Sequence, residues 1–171
     1  MSKKSWASFE GIVDVGPIVV AHCDNPCKDE MLEFLSNVFL GHPPALLPLS
    51  SILGAYHVLT RYLRVPRHDV LLALEKTLQI DTPAFFEEIT RSEVLHALHF
   101  ASVNKVSSWD GYLLSVAHRF GTRIIYSLDE QLDHVEGITV ALPLPKEEIR
   151  EYHAWVRQIR AKIAAGNLST K

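Results

Sequence analysis

The sequence predicts an α/β domain of three layers, with a mostly parallel central sheet and helices on both faces. Three observations carry that prediction. Short apolar runs alternate with segments of helical period along most of the chain. Two of those runs, around residues 11–14 and 123–129, lead straight into an aspartate. The 171 residues are 47% hydrophobic and 22% charged, enough apolar material for one substantial core.

In chain order, Glu10-Gly11-Ile12-Val13-Asp14 is expected to be a short buried strand ending at Asp14, with Gly16-Pro17 as a break after it. Asn25-Pro26 opens a helix to about Leu40, where Met31, Leu32, Leu35, Val38 and Phe39 fall near helical spacing. Gly41-His42-Pro43-Pro44 stops it. Leu46-Leu47-Pro48-Leu49 reads as a strand, and Ser50 or Ser51 can cap a helix to about Leu63. Residues 67–79 form the next helix, with Val70, Leu71, Leu74 and Leu78 on one face. Ile80-Asp81-Thr82-Pro83 is strand-like before a turn.

Thr90 or Ser92 caps a helix to about Val103. Ser107-Ser108-Trp109-Asp110-Gly111 starts another, which Gly121 ends after Phe120. Residues 123–127 form a strand leading to Leu128-Asp129, and residues 137–142 form the last strand. Pro143 and Pro145 then set off a long terminal helix. The expected organisation is a domain over 1–144 and a helical extension over 145–171.

The net charge of −3 argues against a chain-wide electrostatic grip on nucleic acid and leaves room for a local basic patch. Met1-Ser2-Lys3-Lys4-Ser5-Trp6 lacks the apolar run of a signal peptide. The most apolar stretch, residues 45–59, is too short and interrupted to span a bilayer. A cytoplasmic location without membrane contact follows as the expectation. Cys23 and Cys27 form one pair where zinc needs about four ligands, so two ordinary thiols near a turn are expected.

Asp14 and Asp129 follow predicted strands, where open α/β sheets carry their sites, and Asp110 begins the helix before the second of those strands. Each has a plain structural alternative: Asp14 closing a turn, Asp110 meeting a helix dipole, Asp129 capping a turn. Taken together they point to chemistry. Carboxylates brought within a few ångström repel unless a cation lies between them. Hard oxygen donors suit Mg²⁺ or Mn²⁺, which can activate water and stabilise charge on a phosphate.

These residues resemble a PIN domain, the fold of many metal-dependent ribonucleases, including the VapC toxins of toxin–antitoxin pairs. The resemblance rests on Ile12-Val13-Asp14-Val15-Gly16-Pro17 and on residues 49–61, which read Leu-Ser-Ser-Ile-Leu-Gly-Ala-Tyr-His-Val-Leu-Thr-Arg. It continues through Ser108-Trp109-Asp110-Gly111-Tyr112 and Ile124-Ile125-Tyr126-Ser127-Leu128-Asp129, covering residues 11–142. It implies that Asp14, Asp110 and Asp129 are catalytic ligands of Mg²⁺ or Mn²⁺ and that Ser127 supports them. It further implies RNA as substrate and an antitoxin as partner. The family's second acid falls on Gly54, and no Asp or Glu occurs between Glu33 and Asp69. That departure favours a rival expectation, a PIN-fold RNA- or protein-binding module without catalysis.

Other features allow two readings each. Arg61, Arg64 and Arg67, with Tyr62 among them, can contact RNA or simply favour a helix C-terminus. His57 can line the site or pack, and His96 and His99 share a helix face without a third ligand. Ile149, Tyr152, Val156, Ile159 and Ile163 form an apolar stripe suited to the chain's own core or to a second copy in a homodimer. A phosphotransfer enzyme of haloacid-dehalogenase type would need a second Asp where Gly16 stands, and a receiver domain an acidic pair before Asp14's strand that is missing.

Overall fold

A computed structural model describes residues 8–166; the opening segment 1–7 and the last five residues of the C-terminal extension lie outside it. Five strands form one parallel sheet: β1 (Gly11–Val13), β2 (Ala45–Pro48), β3 (Phe85–Phe86), β4 (Ile124–Tyr126) and β5 (Thr139–Ala141), in the spatial order β3-β2-β1-β4-β5. Alternation along each strand splits the core into two layers. Val13, Ala45 and Leu47 face one side, while Ile12, Leu46 and Ile125 face the other.

The first layer is covered by α1 (Val15–Ala21), α2 (Lys28–Leu40), α3 (Leu49–His57), α4 (Arg67–Leu78) and the start of α7 (Lys146–Ala164). The second is covered by α5 (Arg91–Asn104) and α6 (Ser108–Phe120). The α/β/α layering expected from the sequence is thus present. Of the two candidates for the α5 cap, Thr90 takes the position in a full capping box with Glu93, and Ser107 forms a second capping box with Asp110 at the expected start of α6. Gly121 ends α6 in the left-handed conformation.

Four local expectations are corrected. The Gly16-Pro17 break is in fact the first turn of α1, because Asp14 caps it and Pro17 sits where no N–H is needed. The strand expected at Ile80-Asp81-Thr82 lies at Phe85–Phe86, whose aromatic rings pack on Phe39 and Phe120, while Ile80 is exposed. Neither Ser50 nor Ser51 caps α3; Pro48 holds the cap position, and Ser51 Oγ donates to the Val13 carbonyl at 3.4 Å. On α4 the inward face is Val70, Leu74 and Thr77, with Leu71 and Leu78 outward.

The end of the third helical segment widens into a π-type turn over Val58–Tyr62, followed by Arg64 in the left-handed region (φ 58°). Cys23 and Cys27 are buried free thiols, and Cys27 Sγ donates to the Glu148 carbonyl at 3.1 Å. His22 ties α1 to α4: one ring nitrogen meets the Ile18 carbonyl and the other Thr77 Oγ1, each at 2.7 Å. Among the described residues no helix is long and apolar enough to cross a membrane.

Candidate active site: the aspartate cleft

Asp14 sits at the carboxyl end of the central strand, where β1 hands over to α1. Its Oδ1 accepts from the Val15 backbone N–H at 2.6 Å, the first N–H of the helix. Its Oδ2 accepts from Ser127 Oγ at 2.7 Å. Ser127 is almost fully buried just beyond β4, and its hydroxyl also accepts from the Asp129 N–H at 3.1 Å. One serine thereby joins the ends of two neighbouring parallel strands and fixes the backbone of Asp129 against the side chain of Asp14. Asp129 is exposed and turns Oδ1 onto the Gln131 N–H at 2.9 Å.

Asp14, Ser127 and Asp129 line one cleft of about 440 Å³, walled by the apolar side chains of Val15, Val19, Val58 and Leu128. Asp110 stands outside that lining, in the first turn of α6. Its Oδ2 accepts from Ser107 Oγ at 2.7 Å and from the Ser107 N–H at 3.3 Å. Gly111 beside it lets α6 lie against α5: a Cβ there would come within 2.3 Å of the Ala97 carbonyl oxygen. The capping box and that close approach set where Asp110 emerges.

Burial is the largest influence on the Asp14 carboxyl and raises its pKa above the ordinary 3.8. The hydrogen bonds from Ser127 and Val15 oppose the rise, and the negative charges of Asp110 and Asp129 add to it. All three aspartates therefore share one electrostatic neighbourhood. They do not share one ion's reach as they stand: among the described residues no three acidic, histidine or cysteine side chains are gathered closely enough to hold a metal. Each carboxylate is turned instead onto a backbone N–H or a serine.

In donor chemistry alone, the carboxylates and the Ser127 hydroxyl offer the oxygens that a hard dication prefers, and the half-buried Asp14 charge is one that a cation would stabilise.

Gly54, on α3, packs against the residue that follows Asp14. A Cβ at Gly54 would lie 2.8 Å from Val15 Cγ2. His57 is exposed and packs edge-on against Tyr62, with ring centroids 5.5 Å apart, and it does not line the cleft. Arg61, Arg64 and Arg67 are all exposed.

Two residues of the cleft had no sequence signal that linked them to it. Tyr152 and His153, from α7, form its remaining wall. The apolar stripe of that helix includes Tyr152, yet only the tertiary structure brings it across the strand ends.

No protein-family model matches the chain, and no curated protein matches it. The solved structures similar to it include the following two. One is VapC20 of Mycobacterium tuberculosis, described as a sarcin–ricin loop cleaving toxin. The identity is 14%, over 74% of this chain and 95% of that one, with a TM-score of 0.58. The other is FitAcB from Neisseria gonorrhoeae, with 13% identity over 78% of this chain and 97% of that one, and a TM-score of 0.50. At these identities the likeness is one of fold, and the five-stranded parallel sheet is PIN-like.

Proposed function

We propose that the chain is a PIN-fold, metal-dependent endoribonuclease acting as the toxin of a toxin–antitoxin pair. The observation that carries this reading is Asp14: a half-buried carboxylate at the end of the central strand, joined through Ser127 to Asp129 and within electrostatic range of Asp110. Asp14, Asp110 and Asp129 would hold Mg²⁺ or Mn²⁺, with Ser127 as support. The bound ion would supply an activated water and neutralise charge developing on the phosphate.

The chain's own contribution is placement and environment. Ser127 keeps Asp14 Oδ2 pointed and anchors the Asp129 backbone. Val15, Val58 and Leu128 lower the local dielectric, which strengthens every charge interaction in the cleft. Arg61, Arg64 and Arg67 offer exposed cations for RNA phosphate. On this reading the partners are RNA, a cognate antitoxin and a second copy of the chain. Exposed leucines on α4 and α5, such as Leu71, Leu95 and Leu98, are apolar surface that a protein partner would bury.

The test is cleavage of a labelled stem–loop RNA by purified protein with and without Mn²⁺. Cleavage that needs Mn²⁺ and disappears in Asp14→Asn supports the reading; equal behaviour of wild type and variant sinks it. Light scattering decides the homodimer, which requires twice the mass of one chain.

Gly54 favours a second reading, a PIN-fold binding module without catalysis, because this position offers no side-chain oxygen and Val15 occupies the space that a side chain would need. Calorimetry separates the two. No heat with millimolar Mn²⁺, together with retained RNA binding, would establish the module.

A further inference from the structure

The terminal helix carries two stripes with different fates. Ile149 and Tyr152 are buried in the core, and Val156 and Ile159 pack partly against it. Beside that apolar line run Lys146, Arg150, His153, Arg157 and Arg160, spaced four, three, four and three. This spacing puts all five on one face, roughly 100° from the apolar one and about 21 Å long. All five are exposed.

The near end of the cationic stripe lies at the aspartate cleft. Lys146, Arg150 and His153 line a groove with Asp129, and His153 also lines the cleft that holds Asp14 and Ser127. Lys146 Nζ pairs with Glu130 at 3.2 Å. Among the described residues, Arg150, Arg157 and Arg160 have no carboxylate within ion-pair distance. The helix dipole accounts for cations only in a last turn, and Arg150 lies near the start of α7.

We propose that the exposed face of α7 is a polynucleotide-backbone surface that leads a single-stranded RNA into the aspartate cleft. The inference rests on the phosphodiester reading of that cleft and extends it to the exposed face of the terminal helix. A row of unpaired guanidinium groups suits an anion that repeats along a line, since each can hold a phosphate with two hydrogen bonds. A membrane surface is disfavoured because the apolar face that would enter lipid is already used by the core.

The probe is a fluorescein-labelled 20-nucleotide RNA of mixed sequence, titrated with the full chain in EDTA at 50–200 mM KCl. Anisotropy gives the dissociation constant and its salt slope. Replacing Arg150, Arg157 and Arg160 together by Gln should weaken binding about tenfold or more at 50 mM. It should also reduce the slope by about 2, at roughly 0.7 per phosphate contact on a single strand. The matching triple Lys variant should keep the slope, which separates charge from any loss of fold.

The proposal is overturned if the Gln variant binds like wild type. It is equally overturned if wild type ignores RNA at 50 mM KCl but binds phosphatidylserine vesicles. The nuclease reading fails separately. RNA binding that depends on α7, with no Mn²⁺-dependent cleavage, removes the enzyme and keeps the surface. Asp14-dependent cleavage with unaltered binding in the Gln variant does the reverse.

Discussion

Two half-buried titratable side chains pull the pH dependence of this protein in opposite directions. Asp14 is held above its ordinary value by burial, so its charged form opposes folding. Its stabilising contribution is complete below the ordinary carboxylate value of 3.8 and is lost as pH rises through the raised one. Asp14→Asn keeps the helix cap and removes the charge. Metal-free, the variant should melt higher than wild type at pH 7, and the gap should close toward pH 3.8. Added Mn²⁺ should raise the wild-type midpoint and leave the variant's unchanged. Thermal scans in EDTA and in Mn²⁺ check both.

His22 behaves oppositely: burial, opposed by the Ile18 carbonyl and assisted by Lys28, lowers its pKa below 6.5. Its contribution is present above 6.5 and is lost as pH falls through the lowered value. Urea midpoints should therefore drop for wild type between pH 6.5 and 5, and His22→Gln should flatten that drop. Asp14 and Asp129 could be picked from sequence because each follows an apolar, β-branched run, and Ser127 only through the PIN resemblance. His22 could not, because its partner Thr77 is 55 residues away.

Helix packing in this fold depends on two glycines of unequal strictness. At Gly111 the obstacle to a Cβ is backbone, the Ala97 carbonyl, which cannot give way without moving α5. At Gly54 it is the side chain of Val15. Gly111→Ala should cost about 1–3 kcal/mol or more, the range for overpacking a tight contact. Gly54→Ala should cost less and be partly rescued by Val15→Ala in a double-mutant cycle. Denaturant titration of the four variants measures the order. It also bears on Gly54→Glu as a way to introduce an acid, since the new side chain must first displace Val15.

Elements with strong capping and period, such as α5 and α6, were readable from sequence to within a residue or two. Helix α1 was hidden because Gly-Pro usually signals a turn, and here the capped Asp14 and a buried Val19-Val20 pair outweigh that signal. The third strand was misplaced because Phe85–Phe86 is only two residues long and owes its pairing to β2, not to local propensity.

At the scale of the whole molecule, α7 ties residues 146–164 to the aspartate cleft. Tyr152 is buried in the first core layer and also lines the aspartate cleft. Tyr152→Ala should therefore do two things at once. It should cost about 3–5 kcal/mol, as for other buried aromatics, and it should weaken Mn²⁺ binding even though no ligand is removed. Chemical denaturation and calorimetry on the same sample read the two effects. A stability loss with unchanged metal affinity would show that the wall formed by α7 is independent of the acids.

The sheet order also has a consequence for how the chain is made. β1 is the central strand, yet the Ser127–Asp14 bond that closes its far side joins residues 113 apart. Until β4 has left the ribosome, Gly11–Val13 is an open edge with β2 as its sole neighbour. The nascent chain is most exposed to mispairing during that interval, and the cleft that joins Asp14 to Asp129 is assembled only once β4 is available to pair.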